Sequence, residues 1–268
     1  MDTAAPRLDA TANFVRAGFW RRWLATLIDS IVVTLPFQAL AAILFAMTAG
    51  MVQMHSGFYS FCAPVQTIPQ PLDPLPPHDS NFARVCRISF FGAPTGATLT
   101  VGRTTREGST TTTVSQGYML DNDGKPIHGK SIDGIVGLAL LAYLVAMISK
   151  SGRTLGARVV GVRVVDVAAP SVSGVPIRKA IIRYLAMAIG AVPAFAILIY
   201  HYAVSGGGAD AMFTGSFFQW FMYAGAFWVL WVVMLIFQIA AKKDPVYGRL
   251  AGTAVVRERS IEPERTHE

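Results

Sequence analysis

Four stretches of this chain are almost free of charge and close to the length needed to cross a lipid bilayer. Residues 23–72 hold one acid or base apart from histidine, Asp29; residues 134–149, 184–209 and 211–241 hold none. A spanning helix needs about 20 mostly apolar residues. These runs place spans at 23–49, 132–149, 183–204 and 217–240. The second is the shortest, and Ile132 with a capping Ser131 or Asp133 lengthens it; a buried helix of a water-soluble domain is its alternative reading. Composition agrees. Hydrophobic residues make up 53% and charged residues 15%, against about 25% charged in an ordinary soluble domain. Mean hydropathy is +0.44. A disordered, collagenous or coiled-coil body is excluded, and two cysteines cannot build a dense disulfide scaffold.

The positive charges orient the spans. The net charge is +7, which on a soluble protein would point to nucleic acid. In a membrane protein, short cytoplasmic loops carry the excess Lys and Arg. Residues 1–22 hold four, residues 150–183 seven and residues 242–268 six, so 17 of the 23 fall on one side. The loop at 205–216 holds none. The loop at 50–131 holds six but is too long for its charges to set orientation. Both termini are therefore expected in the cytoplasm: a segment at 1–22, a loop at 150–182 and a tail at 241–268. Reporter fusions should read Gly208 as external and Ala169 as internal; the reverse at either point contradicts four spans. The first run is too long for a signal-peptide core and reads as an uncleaved anchor, although Ala46, Ala49 and Gly50 are small enough for a cleavage site.

Between the first two spans, residues 64–77 contain six prolines. Proline lacks the N–H and fixes φ, so an extended spacer is expected. Residues 80–130 are rich in Thr, Val and aromatics broken by glycine, with Asp121-Asn122-Asp123-Gly124. They predict a small β-rich external module of three or four antiparallel strands. Cys62 and Cys86 both lie in this loop, on the oxidising side, and are expected to pair; two free thiols are the alternative. In the cytoplasmic loop, 151–161 is short, basic and apolar, suited to lying along the inner interface with Arg153, Arg158 and Arg163 toward headgroups. Residues 162–166 and 253–257 look strand-like and are expected to form a small cytoplasmic ribbon, with two independent coils as the alternative.

Asp29 is the sharpest candidate for chemistry. An ionisable group within a span is costly, about 2.5–3.5 kcal/mol on insertion scales, and faces a partner or a polar space. Arg22 lies seven residues earlier on the same helix face, and Arg183 opens the third span from the same side. The three make an ion-binding or proton-relay set. A structural role, with Asp29 neutralising an arginine or capping a neighbouring backbone, is equally open. Gln38, Gln219 and Gln238 are weaker path-lining candidates, since amides often bond between helices. Pro36 and Pro193 are candidate kinks, and His201-Tyr202 is a relay or an interfacial anchor. No catalytic set, metal spacing or cofactor motif is present, so neither an enzyme nor a cofactor is expected.

Four segments taken together carry a likeness. Arg21-Arg22-Trp-Leu-Ala-Thr-Leu-Ile-Asp29 opens the first span. Gly152-Arg-Thr-Leu-Gly156-Ala-Arg-Val-Val-Gly161 follows the second. Ile177-Arg-Lys-Ala-Ile-Ile-Arg183 opens the third, and Arg249-Leu-Ala-Gly-Thr253 follows the last. In this order they resemble the RDD family of bacterial membrane proteins over about residues 16–50 and 132–257. The external module falls outside the likeness. The resemblance implies an inner-membrane protein suspected of transport, some members being linked to sodium/proton exchange. It maps the family arginine and first aspartate onto Arg22 (or Arg21) and Asp29. A second aspartate is expected in a His-Asp pair before Leu-Ala-Gly-Thr; here Tyr247-Gly248 stands there, with Asp244 upstream. Two readings follow: a transporter of the cation/proton-exchange kind, assembled as a homo-oligomer or with other membrane proteins, or a membrane anchor whose external module senses, binds or assembles envelope partners.

Overall fold

The computed structural model describes residues 15–204 and 215–257. The His201-Tyr202 pair sits at the edge of the described part, and Gly208 lies outside it. Four helices are long and apolar enough to cross a membrane: Phe19–Met47, Asp133–Ser151, Ile177–His201 and Ser216–Ala240. We number them with the shorter elements. Helix α1 is Phe19–Met47 and α2 is Asp133–Ser151. The third span is α4 (Ile177–Met187), a 3-10 turn (Ala188–Ala191) and α5 (Val192–Val204), and the fourth is α6 (Gly215–Ala240). Short helices α3 (Leu155–Val159) and α7 (Val246–Ala251) lie outside them. The third helical run therefore begins before residue 183: Ile177 to Arg183 is its first two turns. Large apolar side chains such as Ile199, Leu230 and Phe237 stand exposed on these helices, as lipid-facing surfaces require.

The chain divides into two compact units, one of Met1–Asp29 with Leu141–Glu268 and one of Ser30–Leu140. In the second, a five-stranded antiparallel sheet follows α1. Its order is β2 (Tyr59–Pro64), β3 (Phe82–Phe90), β4 (Ala93–Glu107), β5 (Thr110–Leu120) and β6 (Pro126–Ile127). A β-rich region between the first two spans is thus present, and it includes one strand, β2, upstream of residue 80. Both long hairpins have two-residue turns with the positive φ that strand twist favours: Phe91 and Gly92, both positive, between β3 and β4, and Gly108 first in Gly108-Ser109 between β4 and β5. The Asp121 carboxylate accepts from the Asp123 and Lys125 amides at 2.9 and 2.7 Å, closing the turn before β6.

One sheet face is the core of this unit. Leu99, Val101, Tyr118 and Leu120 pack with Phe45 from the last turn of α1. The proline run has no regular structure, as proline dictates, yet it is not a free spacer. Leu72 is buried in the same core, with Val65 and Ile68 against it. The Tyr118 hydroxyl donates to the Pro74 carbonyl at 2.7 Å. Burial pushes the Tyr118 hydroxyl up from its ordinary pKa, and the Asp73 carboxylate adds to the shift. Two short strands, β1 (Val52–Gln53) and β7 (Lys130–Ser131), pair in parallel beside α2.

Cys62 and Cys86 sit opposite each other on β2 and β3 and are joined by a disulfide. The bond closes a loop that contains the whole proline run. A closed loop of that length is worth about 3 kcal/mol through the unfolded chain. Cys62→Ser with Cys86→Ser is expected to lower this unit's stability by about that amount, read as an earlier loss of β structure on heating. Thiol labelling of the unreduced protein should find no free thiol.

In the other unit, β8 (Val162–Asp166) and β9 (Thr253–Arg257) pair antiparallel along their full lengths. Residues 15–17 extend this ribbon: the Ala17 amide donates to Val255 and the Arg257 amide to Val15. Residues 151–161 pack one face of α3 on α1 and leave Leu155 and Val159 exposed on the other. Gly156 and Ala157 are buried, and a Cβ on Gly156 would overlap the backbone of Ala25 in α1. The reason is the absent side chain, which lets α3 approach α1 at backbone distance.

Candidate functional site

Asp29 is buried, and both of its oxygens are engaged. Oδ1 accepts from the Tyr143 hydroxyl at 2.9 Å and from the Gly156 amide at 2.8 Å. Oδ2 accepts from the Thr154 hydroxyl at 2.5 Å. The donors are linked in turn. Thr154 caps α3, its Oγ1 accepting from the Ala157 amide at 3.1 Å, and the Tyr143 oxygen accepts from the Leu155 amide at 3.0 Å. Asp29 therefore closes the start of α3 directly and through two hydroxyls. The sequence offered capping of a neighbouring backbone as one role for Asp29, and this is the geometry present. Among the described residues no guanidinium pairs with it, in contrast to a structural partnership with Arg22 or Arg183.

The two arginines are buried near it with other partners. Arg22 donates through Nε to the Ala17 carbonyl at 3.0 Å and through Nη2 to the Val255 carbonyl at 3.5 Å. Arg183 donates to the Thr253 hydroxyl at 2.9 Å and lies 4.8 Å from the centre of the Tyr247 ring. Tyr247-Gly248 stands where the likeness placed a His-Asp pair: Gly248 brings no carboxylate near Arg183, and Tyr247 offers it an aromatic face instead. Arg22, Asp29, Arg183 and Tyr247 share the lining of one cavity of about 230 Å³. Asp244 lies outside that lining and pairs with Arg16 at 2.8 Å.

The candidate amides are bound locally. Gln38 donates to the Ser56 carbonyl, Gln219 to the Tyr223 hydroxyl at 3.2 Å, and Gln238 accepts from the Val246 amide, fixing the start of α7. Pro193 lies where the 3-10 turn hands over to α5, while Pro36 lies inside an uninterrupted α1. The His201 ring stacks edge-on against Phe217 at 4.9 Å.

Three features of the Ser30–Leu140 unit escaped the sequence. Gln53 is fully buried with its amide saturated: it donates to the Gly50 and Leu120 carbonyls, both at 2.8 Å, and accepts from the Ala97 amide at 3.0 Å. Asp133, at the start of α2, gathers the His55 and Ser56 amides at 3.0 and 2.9 Å and both serine hydroxyls, Ser56 and Ser131. The third is a groove of about 630 Å³ across one face of the sheet, reached by Phe61 and Ala63 of β2, Val85 and Arg87 of β3, Leu120 of β5 and Phe45 of α1. Strand β2 is an edge of the sheet, and Phe58, Tyr59 and Phe61 are exposed beside it. No signal short of knowing the pairing order reveals this groove.

No family model, no curated protein and no solved structure matches this chain.

Proposed function

We propose that this chain is an RDD-like multi-pass protein of the bacterial inner membrane, with both termini cytoplasmic, whose sheet between the first two spans binds an extended segment of an envelope partner. The observation that carries this reading is the unpaired edge of β2, with a groove over the sheet face that begins at Phe61 and Ala63 of the same strand. A bare edge strand is normally blunted by charge, proline or a covering element. Here its first five residues leave two aromatic side chains exposed, with only Pro64 at the far end. Adding a strand there satisfies the free backbone groups, and side chains on its core-facing side lie next to the groove at Phe61 and Ala63. Helix α1 supports the placement outside lipid. Its 29 residues measure about 43 Å against a hydrocarbon core of about 30 Å, and Phe45 in its last turn belongs to the sheet's core.

Transport by cation/proton exchange through Asp29 is the second reading, favoured by the place of Asp29 in the wall of a cavity within the helical unit. Against it stand the three donors on its oxygens and the two arginines beside it, which disfavour a cation.

A photo-cross-linker at Phe61 in the full-length protein, in native membranes, tests the first reading. A discrete adduct is expected there, suppressed by Ala63→Arg in the groove and absent with the probe at Val114. Equal labelling at both positions, or none at Phe61, contradicts it.

A further inference from the structure

The geometry points to an anion site of phosphate class in the cavity between Arg22 and Arg183. This goes beyond the proposed role of the sheet and does not depend on it. Arg22 is 9% exposed and Arg183 7%. The Nη1 of Arg22 is buried and makes no geometrically sound hydrogen bond among the described residues, with only the neutral Tyr247 hydroxyl, among side-chain acceptors, close enough to interact with this guanidinium. A buried guanidinium nitrogen without an acceptor is costly, and both arginines line the cavity. The nearby carboxylates do not neutralise the pair. Asp29 is committed to Tyr143, Thr154 and Gly156, and Asp244 to Arg16. The cavity's lining thus holds two guanidinium groups and one carboxylate, leaving one positive charge over. The remaining lining is uncharged: Tyr184, Tyr247, Thr26 and Thr154 supply hydroxyls, and aliphatic side chains such as Leu144, Ile148 and Val164 make up the rest.

The missing charge is that of one phosphodiester or one dihydrogen phosphate. A planar guanidinium suits tetrahedral oxyanions, pairing with two oxygens at once. At 230 Å³ the cavity is several times the volume of one water, about 30 Å³ in the liquid. Its walls come from the first turns of α1, the last turns of α2 and the start of the third helical run, the ends that adjoin the Lys- and Arg-rich segments, closed by α3, α7 and the β8–β9 ribbon. Basic pockets between spans at that level take lipid headgroups. A free phosphate shares the same chemistry.

Full-length protein in neutral detergent, stripped of lipid, separates the sources. Thermal unfolding is followed with inorganic phosphate, with short-chain phosphatidylglycerol, with phosphatidylcholine and with chloride at matched ionic strength. A midpoint raised by phosphatidylglycerol alone assigns the site to a lipid headgroup; one raised by phosphate as well assigns it to the free ion. Arg22→Lys keeps a charge but loses the second nitrogen, and is expected to weaken the effective ligand about tenfold or more; Arg183→Gln is expected to do the same. No protection by either phosphate source in the wild-type protein overturns the site. So does undiminished protection in a folded Arg22→Lys protein. If the variants do not fold, the wild-type comparison decides alone.

Discussion

Gly156→Val is expected to destabilise the helical unit by about 3–5 kcal/mol, enough to prevent recovery of a folded protein. Any Cβ at this position runs into the Ala25 backbone, which cannot rotate aside as a side chain would. Overpacking of this kind costs about 1–3 kcal/mol. Relief by moving α3 away from α1 breaks the hydrogen bond from the Gly156 amide to Asp29, and a bond to a charged group is worth about 1.5–3 kcal/mol. Gly225→Ala is the matched control. Gly225 lies within α6 with nothing near its missing Cβ, so alanine there should be neutral or stabilising by about 0.5–1 kcal/mol through helix propensity. Thermal unfolding in detergent, with size-exclusion profiles before heating, measures both. Equal behaviour of the two variants would show that α3 is not packed on α1.

The second large effect is at Asp29. Asp29→Ala leaves the Tyr143 and Thr154 hydroxyls and the Gly156 amide without their acceptor. Each buried donor left unsatisfied costs about 1–3 kcal/mol, and the three share one site, so about 3–5 kcal/mol in total is expected. Asp29→Asn keeps one oxygen for Tyr143 and Gly156 and should cost less, about 1.5–3 kcal/mol, the value of the charge-assisted part. Thr154→Val removes the cap of α3 together with one donor, and about 1–2 kcal/mol is expected. Combined with Asp29→Ala it should cost less than the two changes separately, since the lost contact is counted once. Strict additivity in thermal unfolding would place Asp29 outside this network.

What the sequence made legible and what it hid differ by the range of the interactions. The four long apolar helices follow from local composition, because lipid requires apolar runs of a set length wherever they fold. Strands β8 and β9 were visible as short Val-rich runs, and their pairing was expected because the basic segments that hold them fall on one side of the membrane. Strand β2 was hidden because Tyr59–Pro64 continues the charge-free tail of the first span and runs straight into proline; only its partner β3 makes it a strand. Asp29 stood out because a carboxylate in an apolar run is costly. Its partners did not, because Tyr143, Thr154 and Gly156 lie 114, 125 and 127 residues away in sequence. None of the three is unusual where it stands. Gln53 and Asp133 were hidden for the same reason: each gathers donors and acceptors from segments that only the fold brings together.

The decision between an ion-carrying and a helix-closing Asp29 separates the two functional readings, and one paired measurement makes it. Wild-type and Asp29→Asn proteins are reconstituted into liposomes under a proton gradient and a sodium gradient, and thermal unfolding of the same preparations is recorded. The account predicts no sodium- or proton-coupled flux above empty liposomes in either, with the unfolding midpoint of Asp29→Asn clearly lowered. Coupled flux in the wild-type protein that disappears in an Asp29→Asn protein of unchanged unfolding midpoint would contradict it.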